Sequence, residues 1–375
     1  MTTKFSYRSY FIIGSFVLFS QMLSAQQNTD SIIAFAMRQI YENPNVAIET
    51  AQGLLSSPES TIDIKVKSLI IISTAYSSKR EYEKSLEYSR KAMDIFPYIT
   101  DIQLKVNLLN RIGSQYQELN VYDKALSYLD EAYKLLSFVP ESNDKSEGLG
   151  YNNLVRGFIY REQMSCDIAL DYFNSSIEAY QKISHRPKIN SNLSIAYYNK
   201  GNCLLTINKI SNAEASFLQA ITYAKKNNAK SLIAFAQKGL AGVYTVEGNN
   251  LKAIKLLSEA LQNSAEVGDK ILNRSIYNAL ANNYLAINDL KNYSLYQTKS
   301  LSINREIIKT ERKTIDGSIH NLMEINSKKI KDFQNRNTLF LVILIILIFA
   351  VTAFLVRLIF SSEKTLKSLR KELKF

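Results

Sequence analysis

A small residue recurs at a nearly constant interval through most of this chain. Successive positions are 40, 44, 44, 40 and 40 residues apart. They are Ser73, Gly113, Gly157, Gly201, Ala241 and Ala281. A period of this length indicates a stack of similar units, each of which buries its apolar surface only against a neighbour.

Three further positions repeat with the same period. Three residues after the small residue stand Tyr76, Tyr116, Tyr160, Leu204, Tyr244 and Tyr284. Twelve residues after it stand Ser85, Ala125, Ala169, Ala213, Ala253 and Tyr293. Nineteen residues after it stand Ala92, Ala132, Ser176, Ala220, Ala260 and Ser300. Small residues let two helices approach to about 8 to 10 Å, so each period is predicted to be an antiparallel helix pair.

Packing between the predicted pairs is assigned to larger apolar residues, and the composition agrees with helices. Leu129, Phe173, Phe217 and Leu257 are expected to face the next pair. Only five prolines and twelve glycines interrupt the chain, and 46% of the residues are hydrophobic. This favours an all-α fold with an extended core over a sheet or a disordered chain.

The spacing of small, aromatic and apolar residues resembles the tetratricopeptide repeat, most closely in GSQYQELNVYDKALSYLDEA (113–132). Six repeats fit, and residues 31–57 resemble a degenerate first one, so the resemblance assigns residues 26–303 to the repeat region. It implies a right-handed superhelix of helix pairs, an α-solenoid. The period exceeds the 34 residues usual in the family, which predicts longer helices and connections.

The N-terminal segment has the pattern of a secretory signal. Lys4 and Arg8 precede the apolar stretch Tyr10–Leu18, and small residues end at Ala25. Residues 1–25 are therefore predicted to be a signal peptide cleaved after Ala25, with an uncleaved anchor as the alternative.

A second apolar segment lies near the C-terminus. Thr338–Val356 carries no charge over nineteen residues, and a helix of that length spans about 28 Å, enough to cross a bilayer. We predict a transmembrane helix over 338–360 and a short basic cytoplasmic tail over 361–375. With the signal, this predicts a single-pass protein of a bacterial inner membrane with a periplasmic repeat region.

Residues 304–337 are predicted to form a helical stalk before the membrane. Ile308, Ile315, Ile319, Leu322 and Phe333 approximate a heptad seam. Polar residues interrupt this seam, and they are Arg312, Asn326 and Lys329. Both a coiled-coil homodimer and a solvated single stalk fit this pattern.

The net charge of +12 does not indicate nucleic-acid binding, because it is concentrated beside the C-terminal apolar segment. Residues 299–337 and 338–375 each contribute +4, whereas residues 26–298 contribute only about +2. Basic residues in such positions are typical of membrane proteins.

No arrangement of catalytic or metal-binding residues is recognisable. His185 and His320 stand apart from other potential ligands, and no phosphate-binding or dinucleotide motif occurs. Cys166 and Cys203 are the only cysteines, and the sequence leaves open whether they are buried free thiols or a disulfide. We therefore expect no enzyme activity, no cofactor and no metal.

The family resemblance implies binding along a concave groove lined by the first helix of each repeat. In this family, groove residues lie at fixed sequence distances from the small residue. In this chain, those distances assign groove positions to Asn110, Tyr151, Phe158, Arg161, Tyr198, Asn202, Lys238, Asn278, Asn282 and Leu285. Asn amides and aromatic rings suit a peptide backbone and its side chains. The predicted partner is a protein or peptide.

Two functions fit these features. One is a non-enzymatic membrane-anchored scaffold or receptor that binds a peptide or protein outside the cytoplasm. The other follows from a resemblance to the sensory half of bacterial regulators with exported repeats and one late membrane span. In that case the chain is an input subunit for signal transduction or transcription regulation, with its output domain missing or on another chain, because Ser361–Phe375 is too short for one.

Overall fold

The computed structural model describes residues 29–372, apart from residues 41–42, 164, 188 and 266–268. The chain divides into two compact units, Met1–Ile308 and Lys309–Phe375. The predicted signal segment, residues 1–25, lies outside the described residues. Every regular element in the described part of the chain is helical.

Fourteen helices follow one another in the described residues, most of them joined by short turns. A single 3-10 turn, Phe96–Tyr98, follows α4. The helices are α1 (29–40), α2 (Pro44–Ser56), α3 (Ile62–Ser78), α4 (Tyr82–Asp94), α5 (Ile102–Glu118), α6 (Tyr122–Ser137), α7 (Asn143–Glu162), α8 (Cys166–Gln181), α9 (Ile189–Thr206), α10 (Ile210–Lys226), α11 (Lys230–Val246), α12 (Asn250–Ala265), α13 (Lys270–Ala286) and α14 (Leu290–Glu372).

From α3 onward the helices of the first unit form six pairs, which we number repeats 1 to 6. Repeat 1 is α3 with α4, and repeat 6 is α13 with the beginning of α14. The small residues of the first helices, from Ser73 to Ala281, are all buried, and so are those of the second helices, from Ala92 to Ser300. The predicted all-α architecture of stacked helix pairs is confirmed.

Tyrosine pairs fill the space beside the crossing in four repeats. In repeat 1 the rings of Tyr76 and Tyr88 stack with centroids 5.5 Å apart. In repeat 3 the rings of Tyr160 and Tyr172 are 5.2 Å apart and nearly parallel. Equivalent stacks join Tyr116 with Tyr128 and Tyr284 with Tyr296. The periodic tyrosine therefore links the two helices of its own repeat.

Glycines admit buried aromatic rings between the middle repeats. The ring of Phe217, on α10, lies against Gly201 of α9 and Gly239 of α11. A Cβ atom added at Gly201 would lie 2.7 Å from Phe217 Cε1, closer than packed carbons approach. A Cβ atom at Gly239 would collide with the same ring. Phe217 is completely buried, so the ring has no solvent-facing side toward which to move.

Repeats 1 and 2 are joined by buried hydrogen bonds instead of an aromatic ring. The hydroxyls of Ser73 and Ser89 are 2.9 Å apart, and Ser85 Oγ donates to the Ser73 carbonyl at 2.8 Å. Gln115 Nε2, from α5, donates to Ser85 Oγ at 2.7 Å and also reaches Ser73 Oγ. These serines are small enough for the helix crossing, and their buried hydroxyl groups are satisfied by hydrogen bonds.

The turn inside most repeats uses a left-handed residue. Asparagine takes this conformation at Asn120, Asn208 and Asn288, whereas repeat 5 uses Gly248 and repeat 1 uses Arg80. The next N–H then bonds back to the carbonyl of the periodic tyrosine or leucine, for example from Val121 to Tyr116 at 2.8 Å. This is the Schellman pattern, which satisfies the end of the first helix and reverses the chain.

The second unit contains the remainder of α14. Its segment Phe340–Ser368 contains 18 consecutive residues with a mean hydropathy of 3.0 and is long and apolar enough to cross a membrane. This candidate span overlaps the predicted one, and its side chains are exposed in the second unit. Most of the predicted stalk seam, from Ile315 to Phe333, falls on side chains outside the described ones.

We predict that alanine is not tolerated on either side of the Phe217 ring. Gly201→Ala and Gly239→Ala should each lower the free energy of unfolding by about 1 to 3 kcal/mol, because the ring cannot yield without opening the interface. The matched control is Gly242→Ala on α11, where the new Cβ meets Leu205 at an ordinary 3.4 Å. Alanine there should be neutral or stabilising by up to about 1 kcal/mol, since it favours the helix. Thermal melts of the detergent-solubilised full chain measure all three, and equal melting temperatures would contradict the packing.

Candidate functional site

The first helices α3, α5, α7, α9, α11 and α13 lie side by side along one face of the repeat array. Each packs against the next first helix, whereas consecutive second helices make no comparable contact in the described residues. Closer packing of the first helices places them on the inner side of the curvature. We call this face the first-helix groove, and all ten predicted site residues belong to its helices.

The structure places the ten residues at different depths. Asn110 is only 2% exposed. Six residues are half-buried, and they are Tyr151, Phe158, Arg161, Tyr198, Asn202 and Lys238. Asn278, Asn282 and Leu285 are exposed. Depth therefore separates Asn110 from the other nine residues, which all reach solvent.

Both polar atoms of the Asn110 side-chain amide form hydrogen bonds. Its Nδ2 donates to the Gly148 carbonyl at 3.1 Å, and its Oδ1 accepts from Asn152 Nδ2 at 2.8 Å. Both partners belong to α7, the first helix of the next repeat. Burial and these bonds make Asn110 an inter-repeat tie, contrary to the ligand-facing position predicted for it, and we leave it out of the proposed site.

The aromatic residues predicted for the groove also cover the core. The Tyr198 ring lies 6.0 Å from Phe217 and 5.7 Å from Phe235, in tilted and edge-on contacts. The Phe158 ring lies 6.0 Å from Phe173, and Tyr151 packs against the clusters on both sides of it. These rings offer only one edge to the groove, so truncating them would also remove packing.

Polar contacts recur between consecutive first helices. Ser77 Oγ donates to Glu118 Oε2 at 2.6 Å, and Thr245 Oγ1 contacts Asn283 Oδ1 at 3.1 Å. Arg161 donates to Asn199 in the same way. In each case a side chain from the last turns of one first helix bonds to the next first helix. Arg161 and its equivalents therefore tie neighbouring repeats at the rim of the groove.

Three predicted residues keep unused polar groups. In the part of the chain that the structure describes, the side chains of Asn202, Lys238 and Asn282 form no hydrogen bond or ion pair. Asn278 differs, because its Oδ1 accepts from the buried Ser300 hydroxyl of its own repeat at 2.5 Å. Leu285 is 48% exposed and adds apolar surface at the end of the array. Asn202, Lys238 and Asn282 belong to three successive repeats, on α9, α11 and α13.

Comparison with known proteins agrees with this geometry. A sequence model described as tetratricopeptide repeat matches residues 66–98 and 195–227, which cover the helix pairs of repeats 1 and 4. The chain contains tetratricopeptide repeats. No curated protein matches it in sequence.

Solved structures show the same fold at low sequence identity. NprR in complex with its cognate peptide NprX aligns with a TM-score of 0.52 and 13% identity, over 77% of this chain and 84% of NprR. The APC/C hetero-tetramer Cut9–Hcn1 aligns with a TM-score of 0.54 and 14% identity, over 76% of this chain and 51% of that one. At these identities the likeness concerns the tetratricopeptide-repeat fold alone.

Repeat 4 lacks both tyrosines of the stacked pair, and a cleft lies at their positions. Repeat 4 has Leu204 and Ser216 where repeats 1, 2, 3 and 6 have the stacked tyrosine pair. A cleft of about 690 Å³ lies there between α8, α9 and α10. It shares no residue with the ten predicted ones, although the missing tyrosines were visible as a break in the sequence period.

The cleft contains a half-buried lysine at a position that is usually apolar. The residue before the small crossing residue is Ile72, Ile112, Leu240 or Leu280 in four repeats, all of them buried. In repeat 4 this residue is Lys200, and burial lowers the pKa of its ammonium. Asp167, Asp171 and Lys209 also line the cleft.

The preceding repeat shows how such a cation is usually accommodated. Arg156 occupies the same position in repeat 3, where it contacts Asp130 at 2.5 Å and Asn152 Oδ1 at 2.8 Å. The residue of repeat 3 equivalent to Asp130 is Asn174, which lines the cleft but carries no charge. Lys200 consequently has no ion-pair partner in the described residues.

We predict opposite effects of methionine at these two positions. Lys200→Met should raise the free energy of unfolding by roughly 0.5 to 1 kcal/mol, because it replaces a half-desolvated ammonium with an apolar group. Arg156→Met should lower it by about 1 kcal/mol, because Asp130 and Asn152 lose their partner. Chemical denaturation of the full chain in detergent measures both. A loss of stability in Lys200→Met would show that the lysine is satisfied where it stands.

No metal centre is apparent in the described residues, where no three His, Cys, Asp or Glu side chains lie close enough together to hold an ion. His185 lies in the turn before α9, away from any such group. The groove and the cleft both carry polar groups that are unpaired within the described residues.

Proposed function

We propose that this protein is a non-enzymatic, membrane-anchored interaction protein that binds an extended peptide or a partner segment along the first-helix groove. The observation that carries the proposal is the set of unpaired polar groups on Asn202, Lys238 and Asn282, on three successive repeats. Amide groups spaced along a groove suit peptide N–H and C=O groups, which recur along an extended chain. Leu285 and the ring edges of Tyr151 and Tyr198 would supply apolar contacts.

The fold is compatible with this use. NprR, which shares the fold, was solved in complex with its cognate peptide NprX. The side chains that hold our protein's repeats together leave the three polar residues available, so ligand binding would not require inter-repeat bonds to break. We expect the affinity to be divided among several modest contacts, each worth about 1 kcal/mol.

We propose further that Phe340–Ser368 contains a membrane anchor and that the repeat region lies outside the cytoplasm. The support is the length and hydropathy of the segment and the basic residues on both sides of its uncharged stretch, which ends at Val356. Among these basic residues are Lys331 and Arg357. The signal pattern of residues 1–25 sets the proposed direction, with the C-terminus in the cytoplasm.

Fusions to alkaline phosphatase, which is active only after export, test this topology. A fusion after Asn337 should be active, and a fusion after Phe375 should be inactive, because the anchor would hold its C-terminal side in the cytoplasm. Equal expression of both fusions on an immunoblot is the control. The reverse activity pattern would overturn both the direction and the compartment.

Site-specific photo-crosslinking in cells tests the groove. A photoreactive amino acid placed at Asn202, Lys238 or Asn282 of the full chain should yield discrete crosslinked products, because these side chains would lie against the bound segment. Asn212 and Gln219, exposed on α10 and lining the cleft, are the matched control positions. Products from the control positions alone would move the binding site to the cleft.

A double substitution then separates binding from folding. With the photoreactive residue at position 238, Asn202→Ala combined with Asn282→Ala should abolish the crosslinked product. The melting temperature should stay within about 2 °C of the parent, since neither side chain bonds within the protein. Retained crosslinking in the intact double variant would exclude these amides from the site.

A further inference from the structure

The two cysteines of the chain meet in the middle of the repeat array. Cys166 is the first residue of α8, and Cys203 lies in the last turns of α9. Their Sγ atoms are 2.7 Å apart. A disulfide bond is about 2.05 Å long, so the two sulfurs need to approach by only roughly 0.7 Å more. The chain contains no third cysteine that could compete for either of them.

The position of the pair determines what a bond between the sulfurs would do. Helix α8 is the second helix of repeat 3, and α9 is the first helix of repeat 4, so the pair crosses the boundary between two repeats. Both side chains are buried in the same apolar cluster as Phe173 and Tyr180. Cys203 directly follows Asn202, one of the proposed groove residues. A covalent link here would fix the spacing of α8 and α9 beneath the groove.

We propose that Cys166 and Cys203 form a disulfide bond that covalently joins repeats 3 and 4. The two thiols lose two protons and two electrons as the Sγ–Sγ bond forms. A disulfide-containing oxidant of the exported compartment accepts them, and its own disulfide becomes two thiols. Formation in cells rests on the proposed export of the repeat region, because the cytosol keeps thiols reduced.

The burial of the pair indicates when the bond would form. Burial raises the pKa of the Cys203 thiol far above its usual range, and the adjacent Cys166 thiol raises it further. The thiolate is the attacking species in disulfide exchange, so the folded thiols would exchange slowly. The bond should therefore form as repeats 3 and 4 dock and then resist mild reductants in the folded protein.

Thiol trapping in cells tests the proposal on the full chain. Cells are quenched in acid, the protein is unfolded, and free thiols are labelled with a maleimide-linked polymer that retards each labelled chain on a gel. The wild-type protein should take no label unless it is reduced first, and then it should take two. Cys203→Ser should take one label without reduction, which calibrates the gel. Two labels on the unreduced wild-type chain would overturn the proposal.

A second experiment tests whether the two cysteines can pair in the folded protein independently of whether the repeat region is exported. The purified full chain in detergent, unfolded and refolded in a glutathione redox buffer, should form the Cys166–Cys203 bond quantitatively. If the bond forms there but the cellular protein is reduced, the native disulfide is disproved and the proposed export becomes suspect. If it fails to form in the buffer as well, the geometric argument is wrong while the phosphatase fusions still stand or fall on their own.

The disulfide should also raise the melting temperature of the wild-type protein. It closes a loop between residues 37 positions apart and restricts the unfolded chain. Reduction of the unfolded wild-type protein followed by refolding should lower its melting temperature by on the order of 5 °C. The same treatment should leave the Cys166→Ser, Cys203→Ser double variant unchanged. An equal response of both proteins to the reductant would contradict a stabilising bond.

Discussion

Aromatic rings packed against glycines set the spacing of the middle repeats, and most other features of the protein follow from that spacing. Phe217 belongs to a second helix, while Gly201 and Gly239 belong to the two first helices on either side of it. One buried side chain therefore positions three helices. A ring held on both faces makes many short-range contacts, and even one added methyl group would push the helices apart. The inner face formed by those first helices exists in its present shape because they approach this closely.

Close approach of the first helices divides their polar side chains into two groups. Asn110, Arg161 and Thr245 reach the neighbouring repeat and bond to it. Asn202, Lys238 and Asn282 occupy similar helices, but their side chains form no hydrogen bond or ion pair with the described residues. The first group satisfies buried polar atoms and fixes the register of the stack, as buried hydrogen bonds generally do. The second group is what remains for recognition.

Repeat 4 departs from the repeat pattern in two ways. It lacks the tyrosine stack, and it carries Lys200 at a position where four other repeats bury an aliphatic side chain. Breaks in local consistency of this kind are more frequent at functional sites than elsewhere. The proposed disulfide would join this same repeat covalently to repeat 3.

Much of the fold was determined by the sequence alone, because stacked helix pairs require the same residue types at a fixed interval along the chain. The small residues, the tyrosines and the apolar C-terminal segment were recognisable without coordinates, since helix crossings admit only small side chains and a membrane span must be long and apolar. The role of a residue such as Ser73 was only half determined: its small size was evident, but its hydrogen bonds to Ser85 and Ser89 were not.

The depth of the candidate site residues was decided by the tertiary structure. Asn110 and Lys238 stand at equivalent positions of their repeats, three residues before the small one. Yet Asn110 is buried and bonded to the next repeat, whereas Lys238 is half-buried and has no polar partner among the described residues. The difference lies in which residues the following repeat presents, and that depends on the distance and angle between helices. A repeat period specifies which helices become neighbours, but only their packing specifies which side chains reach across.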